Sequence, residues 1–450
     1  MYDRKKVLSY FEDNKDFFET TVKENIEKYR KGKVKISVIS EDGMPVPDAE
    51  INLSQLNHCF RFGANIFMLD ELETEEKNLK YRDTFKSVFN MATLPFYWNS
   101  LEEERGKPRY AKDSPKYYRR PPIDLCMEYC EKNGIEPREH ALAYEQMFPM
   151  WLKNASVPEI KDALEKRYAE ISERYADRIY TIEVTNEMDW GHDNGATAFY
   201  NEPDYIEWCF KTAGRYFPNN QLVINEYTED CWCDNCRVTD KYYAYTEANM
   251  LKGARVDAIG FQYHMFYDRK TELEKSGSLY NPINLYKHMD LYANLVPHLQ
   301  ITEITVPAYS SSEEDERIQA ELIEYLYALW FSHPAVEQII YWNLIDGYAY
   351  VPDPTPEKIR RSQGDMTVGE NVYYGGLLRY DMTPKPAFEV IDRLVNKVWR
   401  TNAHHIAKNG ASDLCAFYGE YELTVTANGK TVKKRIEINK NADNVFEIVI

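Results

Sequence analysis

Between residues 59 and 400, short apolar runs alternate with amphipathic stretches, and the number of those runs constrains the fold more than any other feature. They are FRFGANIF (60–67), VFNMATLPF (88–96), IEPREHALAY (135–144), IYTIEVTNE (179–187), QLVINEY (221–227), VDAIGFQYHM (256–265), LQITEITV (299–306) and EQIIYWNLI (337–345). Runs so short and so apolar predict strands buried on both faces. The intervening stretches, such as PEIKDALEKRYAEISERYA (158–176) and ERIQAELIEYLYALWFSH (316–333), carry the helical period. Eight strands with helical crossovers predict an α/β fold, a (β/α)8 barrel with enlarged loops. A doubly wound open sheet is the alternative, but no Gly-rich phosphate loop follows any strand. The irregular stretch 350–371, rich in Pro and charge, reads as the long loop after strand eight.

The two ends have a different texture. Residues 1–30 predict a charged, amphipathic helical segment without Gly or Pro. Residues 31–58 and 401–450 alternate polar and apolar, broken by Asp-Gly, Pro and Asn-Gly turn residues. Neither piece is long enough to bury a core alone, so together they predict one small β-sandwich with the barrel, 59–400, inserted between them. Its charged turns and inward aromatics favour a structural role over sugar binding.

Charge and cysteine content exclude several classes. With 55 basic and 73 acidic residues the net charge is −18, which repels nucleic acid and anionic membrane surfaces. No apolar run is long enough for a transmembrane helix. The first residues lack the apolar core of a leader, so the expectation is a cytoplasmic chain, or a secreted one whose leader has been removed. Eight cysteines in 450 residues fit reduced thiols. Cys231, Cys233 and Cys236 cluster, but three cysteines fall short of a zinc set, and no metal or cofactor is expected. His404–His405 carries no evident chemistry.

In a barrel of this kind function sits on the C-terminal ends of the strands. The polar residues that end apolar runs are His140, Asn186, Glu187, Asn225, Glu226, Gln262, His264 and Glu303, with Trp342 closing the eighth. Glu187 and Glu303, on strands four and seven, are expected to face each other across the barrel mouth. Opposed carboxylates suit glycosidic cleavage: one protonates the leaving oxygen while the other attacks the anomeric carbon or activates water. Asn186 does not titrate, so it can hold a hydroxyl without competing for protons. The acid requires a raised pKa and the nucleophile an ionised state, which a histidine donor on the adjacent strand would favour. A metal hydrolase would need a His/Asp ligand set that FRFGANIF does not supply. A silent sugar-binding protein would need no opposed acid pair.

The segments VTNEM, INEY, GFQYH, ITEITV, GGLLRYDMTPKPAFEVI and NGIEPREHALAYEQMFPMWL resemble, in order and spacing, glycoside hydrolase family 10, the barrel xylanases. The resemblance implies a retaining mechanism with Glu187 as acid/base and Glu303 as nucleophile. It also implies sugar contacts from Asn186, His140, Gln262, His264 and Trp342. Arg138, from the strand-three Arg-x-His, and Glu226 are expected behind that layer. The family's strand-two motif Thr-x-Glu-Asn-x-x-Lys-Trp is here MATLPFYW: Thr93, Leu94 and Tyr97 replace Glu, Asn and Lys, and Trp98 remains. Tyr144, Glu145 and Tyr350 stand where the family has Trp, His and Trp, and are retained as expected sugar contacts. Thr305 replaces an aspartate, which is expected to deprive His264 of a partner. Leu94, Phe96, Tyr97 and Trp98 are then expected to wall the cavity. The expected substrate is therefore a β-linked glycan or glycoside other than ordinary linear xylan, with a true endo-1,4-β-xylanase carrying a rebuilt xylan subsite, or a catalytically silent carbohydrate-binding protein, as the alternatives.

Overall fold

The computed structural model describes residues 3–189, 197–232, 236–352 and 363–450. Among them the strands are β1 (Lys31–Ile39), β2 (Glu50–His58), β3 (Arg61–Asn65), β4 (Met91–Pro95), β5 (Glu136–His140), β6 (Ala143–Tyr144), β7 (Thr181–Asn186), β8 (Gln221–Glu226), β9 (Ala258–His264), β10 (Leu299–Thr305), β11 (Val336–Tyr341), β12 (Asn402–Ile406), β13 (Ala411–Phe417), β14 (Gly419–Ala427), β15 (Lys430–Ile438) and β16 (Val445–Val449). β3, β4, β5 and β7 to β11 pair in parallel, and the β5–β7 pairing closes them into an eight-stranded barrel. Each of the eight apolar runs holds one of these strands, and β4, β7, β8 and β10 are buried along their whole length. A parallel strand packed on helices outside and side chains inside has no solvated face, which is why these runs lack alternation.

The helices between the strands are bounded by local chemistry. Helix Val157–Tyr175 starts at a reciprocal Ser156–Glu159 capping box with Pro in its first turn. Helix Ile123–Asn133 ends at Gly134, whose φ of 65° suits a left-handed cap. No helix of the described residues is long and apolar enough to cross a membrane.

The chain ends meet as two sheets, β13-β1-β16 and β12-β2-β14-β15, around a separate core of Val34, Ile36, Val38, Ile51, Leu53, Leu423 and Val425. Asn428 and Gly429, with φ of 51° and 75°, turn β14 into β15, as a tight hairpin requires. β2 runs directly into the start of β3, so this sandwich sits below the N-terminal end of the barrel. There Trp399 stacks on Phe331 and Phe62, and Arg400 donates to the carbonyl of Gln55. No sandwich residue reaches the opposite mouth, where the cavity opens.

The N-terminal helical segment is not a separate body. Val7, Leu8, Phe11 and Val22 belong to the barrel's own core. Arg4 is buried against Glu272, Phe11 stacks on Tyr325 at 4.9 Å, and Arg30 donates to the carbonyls of Phe331 and Val336. The segment straps the outer helices of the last barrel units.

Candidate active site

The cavity floor is made by strand ends that point inward at every second residue. On β5 these are Arg138 and His140, and both meet Glu183 of β7: Arg138 through an ion pair, His140 through Nδ1 at 2.8 Å. Burial opposes the charge on Glu183, but His140 and Arg138 hold its carboxyl below the ordinary range. The Nε2 of His140 faces the Tyr97 hydroxyl at 2.9 Å. Asn225 of β8 is the hub. Its Nδ2 lies 3.0 Å from Glu303 Oε1, 2.9 Å from Asn186 Oδ1 and 3.3 Å from Glu183 Oε1, while its Oδ1 accepts from Thr302 at 2.7 Å. Gly260 makes room for it, since a Cβ there would sit 2.4 Å from Asn225 Oδ1. Buried carboxylates are costly unless donors surround them, and this network supplies those donors.

Gln262 of β9 ties the two opposed carboxyls together. Its Nε2 donates to Glu187 Oε1 at 3.0 Å and to Glu303 Oε1 at 3.2 Å, with Asn186 Oδ1 also at 3.2 Å. The two Oε1 atoms are therefore no more than 6.2 Å apart, the combined length of the two bonds. An oxygen of each carboxyl thus meets the same amide, which favours the closer retaining spacing of about 5–5.5 Å over the roughly 6.5–9.5 Å of an inverting pair. Glu187 itself has a φ of 50°, the left-handed region that side chains other than Gly seldom adopt. The turn takes its carboxylate off the strand path, where Tyr144 and Gln146 donate to Oε2 at 2.8 and 2.7 Å.

Burial raises both carboxyls. Glu187 goes up because burial outweighs the hydrogen bonds from Gln262 and Tyr144. Glu303 is pushed up to about 8 by burial; His140 pulls it back, and the nearby Glu183 and Glu187 charges add to the rise. Burial thus acts in the same direction on the expected acid and on the expected nucleophile. His264 is pushed down to about 4 by burial and is neutral. Its Nε2 lies 3.2 Å from Glu303 Oε2 and its Nδ1 3.0 Å from the Thr305 hydroxyl. Thr305 therefore does not deprive His264 of a partner: its hydroxyl fills that place.

Around this floor lies a cavity of about 240 Å³. One side, from the ends of β3, β4 and β11, presents Phe67, Tyr97 and Trp342, with Arg119, Arg120 and Tyr350 above. Trp342 sits 5.3 Å from both His140 and Phe67. The other side presents Tyr227, Glu229, Phe266 and Tyr267. Of the residues singled out in the sequence, Glu187, Glu303, Asn186, His140, Gln262, His264, Trp342, Tyr144 and Tyr350 line this cavity.

Others do not. Trp98 starts a helical turn after β4 and is buried against Phe148 and Trp151, its Nε1 donating to Glu102 at 2.8 Å. Leu94 and Phe96 face the helix layer, because strand alternation sends them opposite to Thr93. Only Tyr97 of the expected aromatic wall reaches the cavity. Glu145 points away and accepts from the backbone of Thr197 at 3.2 Å. Arg138 and Glu226 lie behind the lining. Burial pushes Glu226 well up, and it accepts from Tyr245 at 2.6 Å and from the Asp189 backbone at 3.3 Å, bracing the chain after Glu187. Cys231 donates its thiol to the Glu226 carbonyl, no disulfide joins the described cysteines, and Cys233 lies outside the described residues. His404 and His405 sit on β12 in the sandwich.

Glu183, Gln146, Arg119 and Arg120 also belong to the site although no strand-end pattern marks them, and Asn225 gains a role from its hydrogen bonds. Glu183 had a signal: a carboxylate inside an apolar strand, one alternation step before Thr185. Among the described residues, His140, Glu183 and Glu303 form the one cluster with metal-like donors. Arg138 and His140 already engage Glu183 there, so a cation would have to displace a guanidinium.

The family model for glycosyl hydrolase family 10 matches residues 57–394. Endo-1,4-beta-xylanase 1 of Arabidopsis thaliana is 25% identical over 424 residues, covering 92% of this chain and 38% of its own length. Anti-sigma-I factor RsgI6 of Acetivibrio thermocellus is 25% identical over 419 residues, covering 90% of this chain and 46% of its own length. The chain thus spans less than half of either relative. Endo-1,4-beta-xylanase B of Thermotoga neapolitana is 24% identical over 352 residues, with 75% of this chain and 88% of its own length covered. In three dimensions the native xylanase 10B of Thermotoga maritima superposes with a TM-score of 0.57 at 22% identity, covering 76% of this chain and 96% of that one. This last likeness concerns the fold.

Proposed function

The chain belongs to glycosyl hydrolase family 10, and we propose that it is a retaining hydrolase of β-linked glycans or glycosides. Glu303 attacks the anomeric carbon while Glu187 passes its proton to the leaving oxygen. The resulting glycosyl–enzyme ester is then opened by water, whose proton returns to Glu187. Positive charge developing at the anomeric carbon favours the ionised form of Glu303, whichever carboxyl holds the proton beforehand. Asn225, Gln262 and neutral His264 direct N–H donors at that carboxylate. Asn186 is placed to hold a sugar hydroxyl beside Glu187, and Trp342 with Phe67 offers an apolar surface to a sugar ring.

The observation that carries this reading is the shared Gln262 bridge, which draws the Glu187 and Glu303 carboxyls onto one amide donor at the barrel mouth. Proton NMR of the first-formed product tests it. The β-anomer should accumulate before mutarotation; the α-anomer appearing first would reject direct attack.

For substrate, we propose a β-linked glycan or glycoside other than plain linear xylan. Thr93 and Leu94 are buried away from the cavity and Tyr97 presents a ring, so the strand-two hydrogen bonds of the xylan-cleaving pattern have no counterpart there. The competing reading, a true endo-1,4-β-xylanase, is supported by the names of the relatives. Comparing kcat/KM on linear xylo-oligosaccharides and on other β-linked glycans separates the two.

A further inference from the structure

Arg119 and Arg120 end a loop that the reaction chemistry does not use. Arg109 fixes that loop, donating to the carbonyls of Ser100, Pro115 and Arg120. Arg119 adopts a φ of 60° at the turn, and two prolines follow Arg120. The loop is therefore set before any ligand arrives. Arg119 lies behind, donating through Nη1 to Asn343 at 3.0 Å and to the Tyr348 carbonyl at 2.8 Å; its Nε is buried with no acceptor among the described residues. Arg120 lies over Tyr97, 4.0 Å from the ring centroid, and among the described residues donates through Nη1 alone, to the Arg119 carbonyl at 2.8 Å.

Neither arginine has a carboxylate partner within salt-bridge distance among the described residues. The groups that bear most on the charge of Arg120, after burial itself, are Tyr97, Arg119, Tyr350 and Tyr144, none of them an acid. The near acid is Glu370, which lines the same cavity and accepts from Asn343, the residue to which Arg119 donates, but forms no ion pair with either arginine. Two guanidiniums that line one cavity, 5.4 and 5.6 Å from the same Phe67 ring centroid, repel each other until an anion joins them. The Tyr97 ring separates Arg120 from His140, so an anion bound there stays a ring away from Glu187 and Glu303.

We propose that Arg120, backed by Arg119, is a specificity-determining subsite for the carboxylate of a uronic acid in the substrate. A guanidinium fork matches a carboxylate in two parallel hydrogen bonds, whereas a neutral sugar leaves the charge unanswered. The proposal rests on the glycosidase reading above.

The test uses the whole chain and a matched pair: a β-linked oligosaccharide bearing a hexuronic acid, and the same oligosaccharide with that carboxyl reduced to the alcohol. Two versions of the pair, with the acid as a branch or as the terminal sugar, distinguish where it enters. Wild type should prefer the acid by about tenfold to a hundredfold in kcat/KM, less so at high salt. Arg120→Gln should bring the ratio towards one, with Arg120→Lys, which keeps the charge without the fork, between them. Equal wild-type rates on the two, or a ratio unmoved in Arg120→Gln, would overturn the proposal. If neither compound is hydrolysed, aryl β-glycosides test the glycosidase reading separately, and calorimetry decides the subsite. The acid should then bind to wild type and the reduced twin far less, a difference lost in Arg120→Gln; equal binding overturns it. Should Arg120→Gln not fold, the salt dependence of the wild-type preference decides: a salt-insensitive preference overturns the proposal.

Discussion

At the floor of the cavity the polar side chains come from barrel-strand ends and satisfy one another, whereas the wall above Tyr97 comes from a loop, 96–122, whose Arg119 and Arg120 form no ion pair with an acid among the described residues. Glu183, Asn225, Gln262 and Glu303 are joined by hydrogen bonds of 3.0–3.3 Å and sit on strands that cannot shift without breaking the barrel. Arg120 is held by its loop and by one ring. The difference separates two tasks. The floor fixes what reaction is possible, because removing any member strands a buried polar group. The wall is the part free to vary with the substrate, because it can change without disturbing the barrel.

The largest effect should come from the floor. Glu303→Ala should lower turnover on every substrate by more than about 10⁴-fold, because no nucleophile remains. Glu187→Ala should spare glycosides with activated aryl leaving groups in the first step, and external azide should rescue it. Measured burst kinetics on aryl glycosides would break the comparison if Glu187→Ala lost aryl and natural substrates alike without rescue.

The same division explains what could be read from the sequence. Barrel strands show as apolar runs because burial on both faces leaves no other composition, and the polar residue at each strand end stands out against that background. Glu187, Glu303, Gln262 and His264 were legible for this reason. Trp98 and Glu145 were misplaced because their side-chain directions depend on the turns after β4 and β6, which no period describes. Thr305 was read as a loss because a missing carboxylate was counted without its hydroxyl. Arg119 and Arg120 were passed over because a loop arginine in sequence looks like any solvated charge; only the fold shows that it lines a cavity.

A mid-sized effect tests whether Trp98 belongs to the core or to the wall. Trp98→Ala removes packing against Phe148 and Trp151 and orphans Glu102. It should cost about 3–5 kcal/mol of stability in denaturant unfolding. The ranking of substrates by kcat/KM should stay as in wild type. A variant of unchanged stability with a reordered ranking would return Trp98 to the wall.

The smallest effect is a shift along the pH axis. Glu187 must hold a proton to act as acid, and its pKa is raised by burial while hydrogen bonds from Gln262 and Tyr144 pull it back. Those bonds favour the ionised carboxylate, so deleting one removes a lowering influence and lets the pKa climb further. A group with a higher pKa keeps its proton to higher pH. Tyr144→Phe should therefore move the basic limb of the kcat/KM profile upward, not downward, since the hydroxyl lost is the one 2.8 Å from Glu187 Oε2. Tyr97→Phe is the matched change in the wall: its hydroxyl meets His140 and touches neither carboxyl, so the limb should hold its place. If Tyr144→Phe left the limb unmoved, or if Tyr97→Phe moved it as far, proton position would not be governed by the floor alone, and the separation of floor from wall would fail at its most sensitive point.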